Sequence, residues 1–473
     1  MKNLALLTDL YEYSMANGFQ HYLPQTRAVF DVFFRKVPDK GGLVVAAGLQ
    51  QIVEQLQNFN FSADDLEYFR SLKLWDEDFL QFLANFKLDC QISAVPEGMP
   101  VFPREPLITV SGPIAQAQLL ETLILNIFNH QSLIATKSRR MTQAAQGKPI
   151  MEFGARRAQG PDSALYGTRA AVIGGASSTS NVLAAKKFHI PAAGTMAHSW
   201  IEAFPDELSA FRKWAALYPD NAALLVDTYD VLQSGVPHAI QVFQELQAQG
   251  HQPLGIRIDS GDIASLTQKS RALLDEAGLT SVKITISNAL DENIITSLLQ
   301  QQAPIDNFGI GEKLITSSSS PVLSGVYKLA AIEQNGQLIP KIKVSNDLAK
   351  LTIPGPKKVY RLYYEHTQEA FADVIALADE DLIHSERITV VNSNPLQLQK
   401  PLVLTNFVAQ PLLHPLDFSQ KHPVPTDVFA IQRTSQRWLD ELPIETKRLT
   451  NPDIYPVYMT EALNKLQKDL IAH

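Results

Sequence analysis

The chain has 473 residues, of which 45% are hydrophobic and 19% charged, and its net charge is −8. Because a single hydrophobic core rarely holds a chain of this length, we expect a globular protein of two domains. The acidic balance excludes binding of nucleic acid mainly through bulk positive charge, although it permits a local basic pocket for small anions. Cys90 is the only cysteine, which excludes an intrachain disulfide framework and fits a reducing compartment such as the cytoplasm.

The apolar segments predict no membrane attachment. The N-terminal apolar run is too short for a signal peptide, and no small-residue cleavage site follows it. The longest apolar segment, residues 119–135, is interrupted by polar side chains that would be costly in lipid. This segment therefore predicts a buried helix.

The N-terminal part of the chain predicts mixed helices and strands without a repeat. Thr8 and Asp9 occupy positions typical of N-caps, and the helix after them carries Tyr11 near its start. Further elements are predicted at residues 28–35 (strand), 49–56 (helix), 62–65 (helix start) and 92–110 (short strands separated by prolines).

From residue 149 onwards, short apolar runs alternate with helical patterns. This alternation is typical of βα units around a parallel sheet. Strands are predicted at residues 149–153, 191–194, 222–226, 254–258, 282–286 and 305–310. Because a regular barrel has about eight strands, we expect an irregular α/β barrel.

Polar, charged or glycine residues lie at or just after the end of each of these predicted strands. They are Arg156 and Arg157; Thr195, His198 and Ser199; Asp227, Thr228 and Asp230; Asp259, Ser260 and Asp262; Ser287 and Asn288; and Gly309, Gly311, Glu312 and Lys313. Because ligands bind at the carboxyl ends of parallel strands, these segments are expected to converge on one site.

Taken singly, these residues also have ordinary structural explanations. Adjacent arginines are often a solvated pair, an aspartate between a strand and a helix is often an N-cap, and a lone histidine is often a buried imidazole. Together, Asp227, Asp259 and the inward-facing Arg257 favour a site for a magnesium-bound diphosphate. Gly309 and Gly311 would let backbone N–H groups approach a phosphate, although their spacing matches neither a Walker loop nor a dinucleotide fingerprint.

The alternation stops after about residue 341. In the tail, strands are predicted at residues 359–364 and 388–391, a mixed segment at 429–441 and a terminal helix at 457–470. The strands of the tail suit packing back onto the N-terminal part.

Six motifs occur in order along the chain: LTDLY at residues 7–11, RRAQGPD at 156–162, GTMAHS at 194–199, LVDTY at 225–229, RIDSGD at 257–262 and GVYKL at 325–329. Together they resemble the nicotinate phosphoribosyltransferase family, closely over residues 6–329 and more loosely beyond. The resemblance implies an irregular α/β barrel at residues 131–340 that carries the active site. It also implies an α/β sandwich domain built from residues 1–130 and 341–473.

The resemblance further implies the first step of NAD salvage from nicotinate. Nicotinate and phosphoribosyl diphosphate would give nicotinate mononucleotide and diphosphate, with Mg²⁺ as cofactor. ATP would be a co-substrate, hydrolysed through transient phosphorylation of His198. A cytoplasmic homodimer without nucleic-acid or membrane partners is expected.

The family pattern assigns roles to particular residues. Catalytic roles are implied for His198, Arg257, Asp227 and Asp259, of which the two aspartates would serve the diphosphate and its magnesium. Substrate contacts are implied for Tyr11 (reaching the neighbouring subunit's site), Phe153 (stacking on the pyridine ring), Arg156, Thr195, Ser180, Ser199, Gly309 and Gly311. Glu312 departs from relatives that carry Thr or Gly, and its carboxylate would repel a phosphate unless a metal or Lys313 intervenes.

Two alternatives remain open at this point. A nicotinamide phosphoribosyltransferase would perform the same reaction on the amide, but such relatives carry an acidic side chain where residues 177–181 offer only hydroxyls and an amide. A non-catalytic metabolite-binding protein is the other alternative. Turnover of the two pyridines would separate all three.

Overall fold

The computed structural model describes residues 3–397 and 400–472. The chain forms two compact units. We call Met1–Leu133 with Val322–His473 the terminal unit, and Ile134–Pro321 the central unit. Among the described residues, no helix combines the length and the apolar composition that crossing a membrane requires.

The α-helices are α1 Leu10–Tyr22, α2 Leu49–Leu56, α3 Ala63–Leu72, α4 Glu77–Ala84, α5 Ile114–Gln118, α6 Glu121–Ala144, α7 Pro161–Ile173, α8 Val182–Phe188, α9 His198–Glu202, α10 Glu207–Leu217, α11 Val236–Ala248, α12 Ile263–Glu276, α13 Glu292–Gln300, α14 Glu312–Ile315, α15 Val428–Asp440 and α16 Glu461–Ala472. Short 3₁₀ or π turns connect several of them.

The strands are β1 Arg27–Phe34, β2 Val44–Val45, β3 Gln91–Ala94, β4 Pro100–Val101, β5 Ile108–Pro113, β6 Ile150–Glu152, β7 Ser178–Thr179, β8 Ala223–Leu225, β9 Gly255–Ile258, β10 Lys283–Ile286, β11 Asn307–Ile310, β12 Gly325–Gln334, β13 Gln337–Pro340, β14 Lys357–Tyr364, β15 Ala370–Leu377, β16 Arg387–Asn392, β17 Leu402–Thr405, β18 Phe407–Pro411, β19 His414–Pro415 and β20 Val457–Thr460.

The terminal unit contains two six-stranded sheets. The first has the strand order β13-β12-β1-β5-β3-β19, so it combines strands from both ends of the chain. Its central strand β1 is almost entirely buried, and the Phe30 ring stacks on Tyr327 of β12 with ring centroids 4.9 Å apart. The second sheet has the order β17-β16-β20-β15-β14-β18 and consists of tail strands alone.

The boundary expected at residue 340 lies at Pro321 instead. The reason is that β12 pairs with β1 and β13 pairs with β12, both antiparallel, so residues 325–340 extend a sheet of the terminal unit. The motif at residues 325–329 carried no signal of this long-range pairing.

The predicted strands at 359–364 and 388–391 are present as parts of β14 and β16. Two other predictions for the tail need correction. The mixed segment at 429–441 is the helix α15, whose N-cap Asp427 accepts hydrogen bonds from the backbone N–H groups of Phe429 and Ala430. The terminal helix predicted from residue 457 begins only at Glu461, because Val457–Thr460 form β20 between β15 and β16.

The central unit has one six-stranded sheet in the order β7-β6-β11-β10-β9-β8, with every neighbouring pair parallel. Its apolar strand residues are buried, as expected for a parallel sheet covered by helices on its faces. They include Ile256, Ile258, Ile284, Ile286, Phe308 and Ile310. This arrangement confirms the α/β class, and the carboxyl ends of all six strands lie along one edge.

One of the six predicted strands is wrong. Residues 191–194 make only an isolated bridge, between Ala192 and Thr179, and the strand beside β6 is β7 at Ser178–Thr179. The small residues of 191–194 were mistaken for a closely packed strand, whereas a two-residue polar strand gives no periodic signal.

Candidate functional site

A cavity of about 460 Å³ opens at the carboxyl ends of the parallel strands of the central unit. It is lined by Phe153, Arg156, Arg157, Ser180, Gly194, Thr195, Met196, Ala197, His198, Arg257, Asp259, Ser287, Asn288, Ala289, Gly309, Gly311 and Glu312. A volume of this size is typical of sites for small molecules.

The structure brings most of the predicted site residues together at this cavity. Asp227 adjoins it, because its Oδ2 accepts hydrogen bonds from Asp259 N at 3.0 Å and Ser260 Oγ at 2.6 Å. Ser199 is exposed on α9 and does not line the cavity. Tyr11 belongs to the terminal unit, where its side chain is exposed near the start of α1.

Arg257 extends from β9 into the cavity. Its Nη1 donates to Thr195 Oγ1 at 2.5 Å, while its buried Nε has no hydrogen-bond partner among the described residues. Burial lowers the pKa of the guanidinium, and the Asp259 and Asp227 carboxylates oppose that effect. Since an arginine remains protonated in proteins, Arg257 is a partly buried cation with a donor that a ligand could satisfy.

Asp227 and Asp259 follow neighbouring strands β8 and β9. Asp227 Oδ1 is buried without a hydrogen-bond partner in the described chain, and Asp259 Oδ1 accepts from Ser287 Oγ. No group of three or more His, Cys, Asp and Glu side chains able to hold a metal occurs among the described residues. The buried Asp227 oxygen and the adjacent Asp259 carboxylate are oxygen donors of the kind that magnesium accepts when it is shared with a phosphate.

His198 is the first residue of α9. Its Nδ1 lies 3.1 Å from Thr228 Oγ1, and its Nε2 lies 4.0 Å from Asp227 Oδ1. The side chain is 40% exposed, so the ring is open to a ligand in the cavity. The alternative of a buried imidazole is wrong for this histidine.

Phe153 follows β6 and its ring lies against β11. A Cβ atom added at Gly309 would lie 2.6 Å from Phe153 Cε2, far inside van der Waals contact. Gly309 is therefore required by the position of the ring. A Cβ at Gly311 would lie 3.2 Å from the Phe153 carbonyl oxygen, a tight but less severe approach. The glycines were predicted from phosphate binding alone, which missed this packing.

Two arginines and a glutamate form the charged rim of the cavity. Arg157 Nε lies 3.5 Å from Glu312 Oε2, and both side chains are exposed. Lys313 instead contacts Asp291, with Nζ 3.1 Å from Oδ2. The Glu312 carboxylate thus pairs with Arg157, and Lys313, which pairs with Asp291, does not intervene at Glu312.

Several lining residues were not predicted to bind a ligand. Met196 and Ala197 carry no chemical signal in the sequence, and Ser287 is recognisable there only as a polar residue after its strand. Asn288 has φ of +105°, an uncommon value for a residue other than glycine, and such backbone is often found at functional sites. Its position two residues after the end of β10 is the only clue in the sequence.

Comparisons with known proteins agree with this geometry. Residues 6–129 match the nicotinate phosphoribosyltransferase (NAPRTase) N-terminal domain, residues 149–352 the NAPRTase family and residues 356–467 the nicotinate phosphoribosyltransferase C-terminal domain. The chain is 41% identical to nicotinate phosphoribosyltransferase of Bacillus subtilis, over 98% of this chain and 95% of that protein. The human nicotinate phosphoribosyltransferase is 32% identical over 99% and 96% of the two chains.

A crystal structure of human nicotinic acid phosphoribosyltransferase superposes with a TM-score of 0.85 at 30% identity, covering 98% of this chain and 99% of the human chain. Both the sequence matches and the structural match extend over both units, and the likeness includes the parallel sheet that carries the cavity. The chain belongs to the nicotinate phosphoribosyltransferase family.

Proposed function

We propose that this chain catalyses the transfer of a phosphoribosyl group from phosphoribosyl diphosphate to nicotinate, giving nicotinate mononucleotide and diphosphate. The observation that carries the proposal is the cavity of the central unit, where the partly buried cation Arg257 and the Phe153 ring lie beside carboxylates of neighbouring strands. The aromatic ring and the cation suit a pyridine acid, and the acidic groups suit the counterion of a diphosphate. The family relationship supports the same reaction.

The reaction places simple demands on the protein. As the diphosphate departs from the ribose carbon, positive charge develops on the sugar, and the leaving anion needs compensation. Arg156 and Arg157 at the rim can approach that anion, while Phe153 and Arg257 orient the pyridine. No general base is required, because the ring nitrogen of nicotinate is already a free nucleophile at neutral pH. The main contribution of the protein is therefore orientation at attack distance.

Asp227 and Asp259 would hold a magnesium ion together with the diphosphate. When bound, the ion supplies positive charge that stabilises the leaving diphosphate. The support for this assignment is the Asp227 oxygen that lacks a partner in the described chain and the adjacent Asp259 carboxylate.

The ATP-linked step is assigned to His198. Thr228 lies at its Nδ1, which orients the ring, and an imidazole nitrogen can act as the nucleophile that accepts a phosphoryl group. The phosphohistidine would couple ATP hydrolysis to synthesis. A homodimer in the cytoplasm is also proposed, with Tyr11 of one subunit reaching its neighbour's site; the exposed position of Tyr11 near the start of α1 supports this.

The test is a comparison of the two pyridines. Purified protein is incubated with phosphoribosyl diphosphate, Mg²⁺ and either nicotinate or nicotinamide, with and without ATP, and mononucleotide formation is followed. We expect a strong preference for nicotinate and stimulation by ATP. A similar kcat/KM for both pyridines would favour the nicotinamide enzyme, and absence of turnover would favour the non-catalytic alternative.

Gly309→Ala is expected to raise the KM for nicotinate about tenfold, since the new methyl group must displace the Phe153 ring and overpacking of this kind costs about 1–3 kcal/mol. Gly194→Ala is the matched control. Gly194 lines the same cavity, but a Cβ added there meets no atom within 4 Å. Equal KM values for the two variants would show that the ring position does not govern nicotinate binding.

Ser180→Asp is expected to erode the use of nicotinate. Ser180 lines the cavity with an exposed hydroxyl, and a carboxylate in its place would repel the carboxylate of the substrate. Ser180→Asn is the control, because asparagine is similar in size to aspartate but neutral. A rise in KM that is the same for both variants would indicate crowding instead of charge repulsion.

A further inference from the structure

Glu152 is a fully buried carboxyl group directly behind the cavity wall. It is the last residue of β6, and its side chain is 0% exposed, as are those of its neighbours Thr168 and Thr179. It does not line the cavity, so it cannot touch a ligand there. Burial raises the pKa of the Glu152 carboxyl, while hydrogen bonds from Thr179, Gly154 and Thr168 oppose that effect.

The two oxygens of Glu152 connect different segments. Oε1 accepts a hydrogen bond from the backbone N–H of Gly154, in the turn that carries Phe153 and Arg156. Oε2 accepts from Thr179 Oγ1 at 2.7 Å and lies 2.8 Å from Thr168 Oγ1 of α7. One side chain thus joins the turn after β6 to strand β7.

Thr179 transmits this contact to the cavity. Its Oγ1 accepts a hydrogen bond from Asn181 N at 2.9 Å, so its single hydroxyl proton is directed to Glu152. The residue between them, Ser180, donates its backbone N–H to the Glu152 carbonyl oxygen at 3.0 Å. Ser180 and Phe153 both line the cavity, and both are therefore held by Glu152.

A carboxylate offers an acceptor to both sides of this arrangement. Gly154 N–H and the Thr179 hydroxyl both require acceptors, one at each oxygen of the side chain. A glutamine has an acceptor on one side only, so its NH₂ group would face one of these donors whichever way the amide is turned.

We propose that Glu152 is a positioning residue that fixes the Phe153 turn relative to the Ser180 segment and thereby sets the affinity of the cavity for the pyridine acid. The inference rests on the proposed function for its ligand. The geometry that it describes, the linkage of the two wall segments, can be measured without any substrate.

The test compares Glu152→Gln and Thr179→Val with the unmodified enzyme. We expect both variants to raise the KM for nicotinate about tenfold, the effect of leaving one buried donor unpaired. The KM for phosphoribosyl diphosphate and the kcat should change less than about twofold, since the phosphate-side groups are untouched. Hydrogen–deuterium exchange at Gly154 and Ser180 should become faster in both variants.

Two further variants serve as controls. Thr179→Ser keeps the hydroxyl. Its KM for nicotinate and its rate of hydrogen–deuterium exchange at Gly154 and Ser180 are expected to match those of the unmodified enzyme. Thr267→Val removes another buried hydroxyl of the central unit, whose partners in the described part of the chain are the Ile263 and Ala264 carbonyls of its own helix. It should leave the nicotinate KM unchanged even if it lowers the melting temperature.

Unchanged exchange at Gly154 and Ser180 in Thr179→Val overturns the proposal whatever the activity. The proposal is also overturned if Thr179→Val and Thr267→Val both raise the KM values for nicotinate and phosphoribosyl diphosphate to a similar extent. Such a pattern would indicate general destabilisation of the protein. If the unmodified enzyme does not use nicotinate, the proposed function fails, and the exchange data still decide whether Glu152 holds the two segments. If Glu152→Gln does not fold, the Thr179→Val and Thr179→Ser pair decides.

Discussion

Replacing His198 with alanine is expected to abolish acid-labile labelling by γ-labelled ATP and to remove the stimulation of synthesis by ATP. Alanine has no nucleophilic nitrogen, so the loss of labelling should be complete. Some ATP-independent synthesis should survive, because the pyridine and diphosphate contacts assigned to Arg257, Asp227 and Asp259 remain. The measurements are radiolabel retained after mild acid treatment and the rate of mononucleotide formation with and without ATP.

His251→Ala is the control for this prediction. His251 lies in the same unit and contacts Asp220, with Nδ1 2.8 Å from Oδ1, outside the residues that line the cavity. The His251→Ala variant should be labelled by γ-labelled ATP to the same extent as the unmodified enzyme. Thr228→Val should reduce labelling only in part, because it removes the hydroxyl near Nδ1 of His198 and leaves the ring in place. Full labelling and full ATP response in His198→Ala would mean that another residue is the acceptor.

The convergence of the site could be predicted from the sequence because it follows from topology. Residues at or just after the carboxyl ends of parallel strands share one edge of the sheet, so the sequence predicts that Arg156, Asp259 and Gly309 lie near one another, and all three line the cavity. The same argument placed Asp227 next to Asp259, where its carboxylate accepts the Asp259 N–H. Local patterns were sufficient because each strand and the polar residue after it are contiguous in the chain.

Contacts that depend on distant segments could not be predicted in this way. The packing of the Phe153 ring on Gly309 joins β6 to β11, and the linkage from Glu152 to Thr179 joins β6 to β7. The antiparallel pairing of β12 with β1 brings together residues about 300 positions apart, and no periodicity records it. The wrong strand at 191–194 has the same origin, since its small residues are compatible with several backbone conformations.

Arg257→Gln is expected to weaken nicotinate binding about ten- to a hundredfold, with a much smaller effect on phosphoribosyl diphosphate. The carboxylate of nicotinate needs a cation or several donors when it leaves water, and Arg257 offers a charged group with an unsatisfied buried Nε–H. Loss of a charge-assisted hydrogen bond costs about 1.5–3 kcal/mol, which corresponds to that range of affinity. Binding titrations with each substrate, together with kcat/KM values, provide the measurement.

Two variants make the Arg257 result specific. Arg212→Gln removes an arginine of the same unit that pairs with Glu245 on the surface, with Nη2 2.6 Å from Oε1, and should leave both affinities unchanged. Arg257→Lys keeps the charge but loses the planar fork, so it should lie between the unmodified enzyme and Arg257→Gln. This order of nicotinate affinities would show that both the charge and the planar geometry of the group at residue 257 contribute to binding. Equal weakening of both substrates by Arg257→Gln would instead assign the guanidinium to the phosphate side of the cavity.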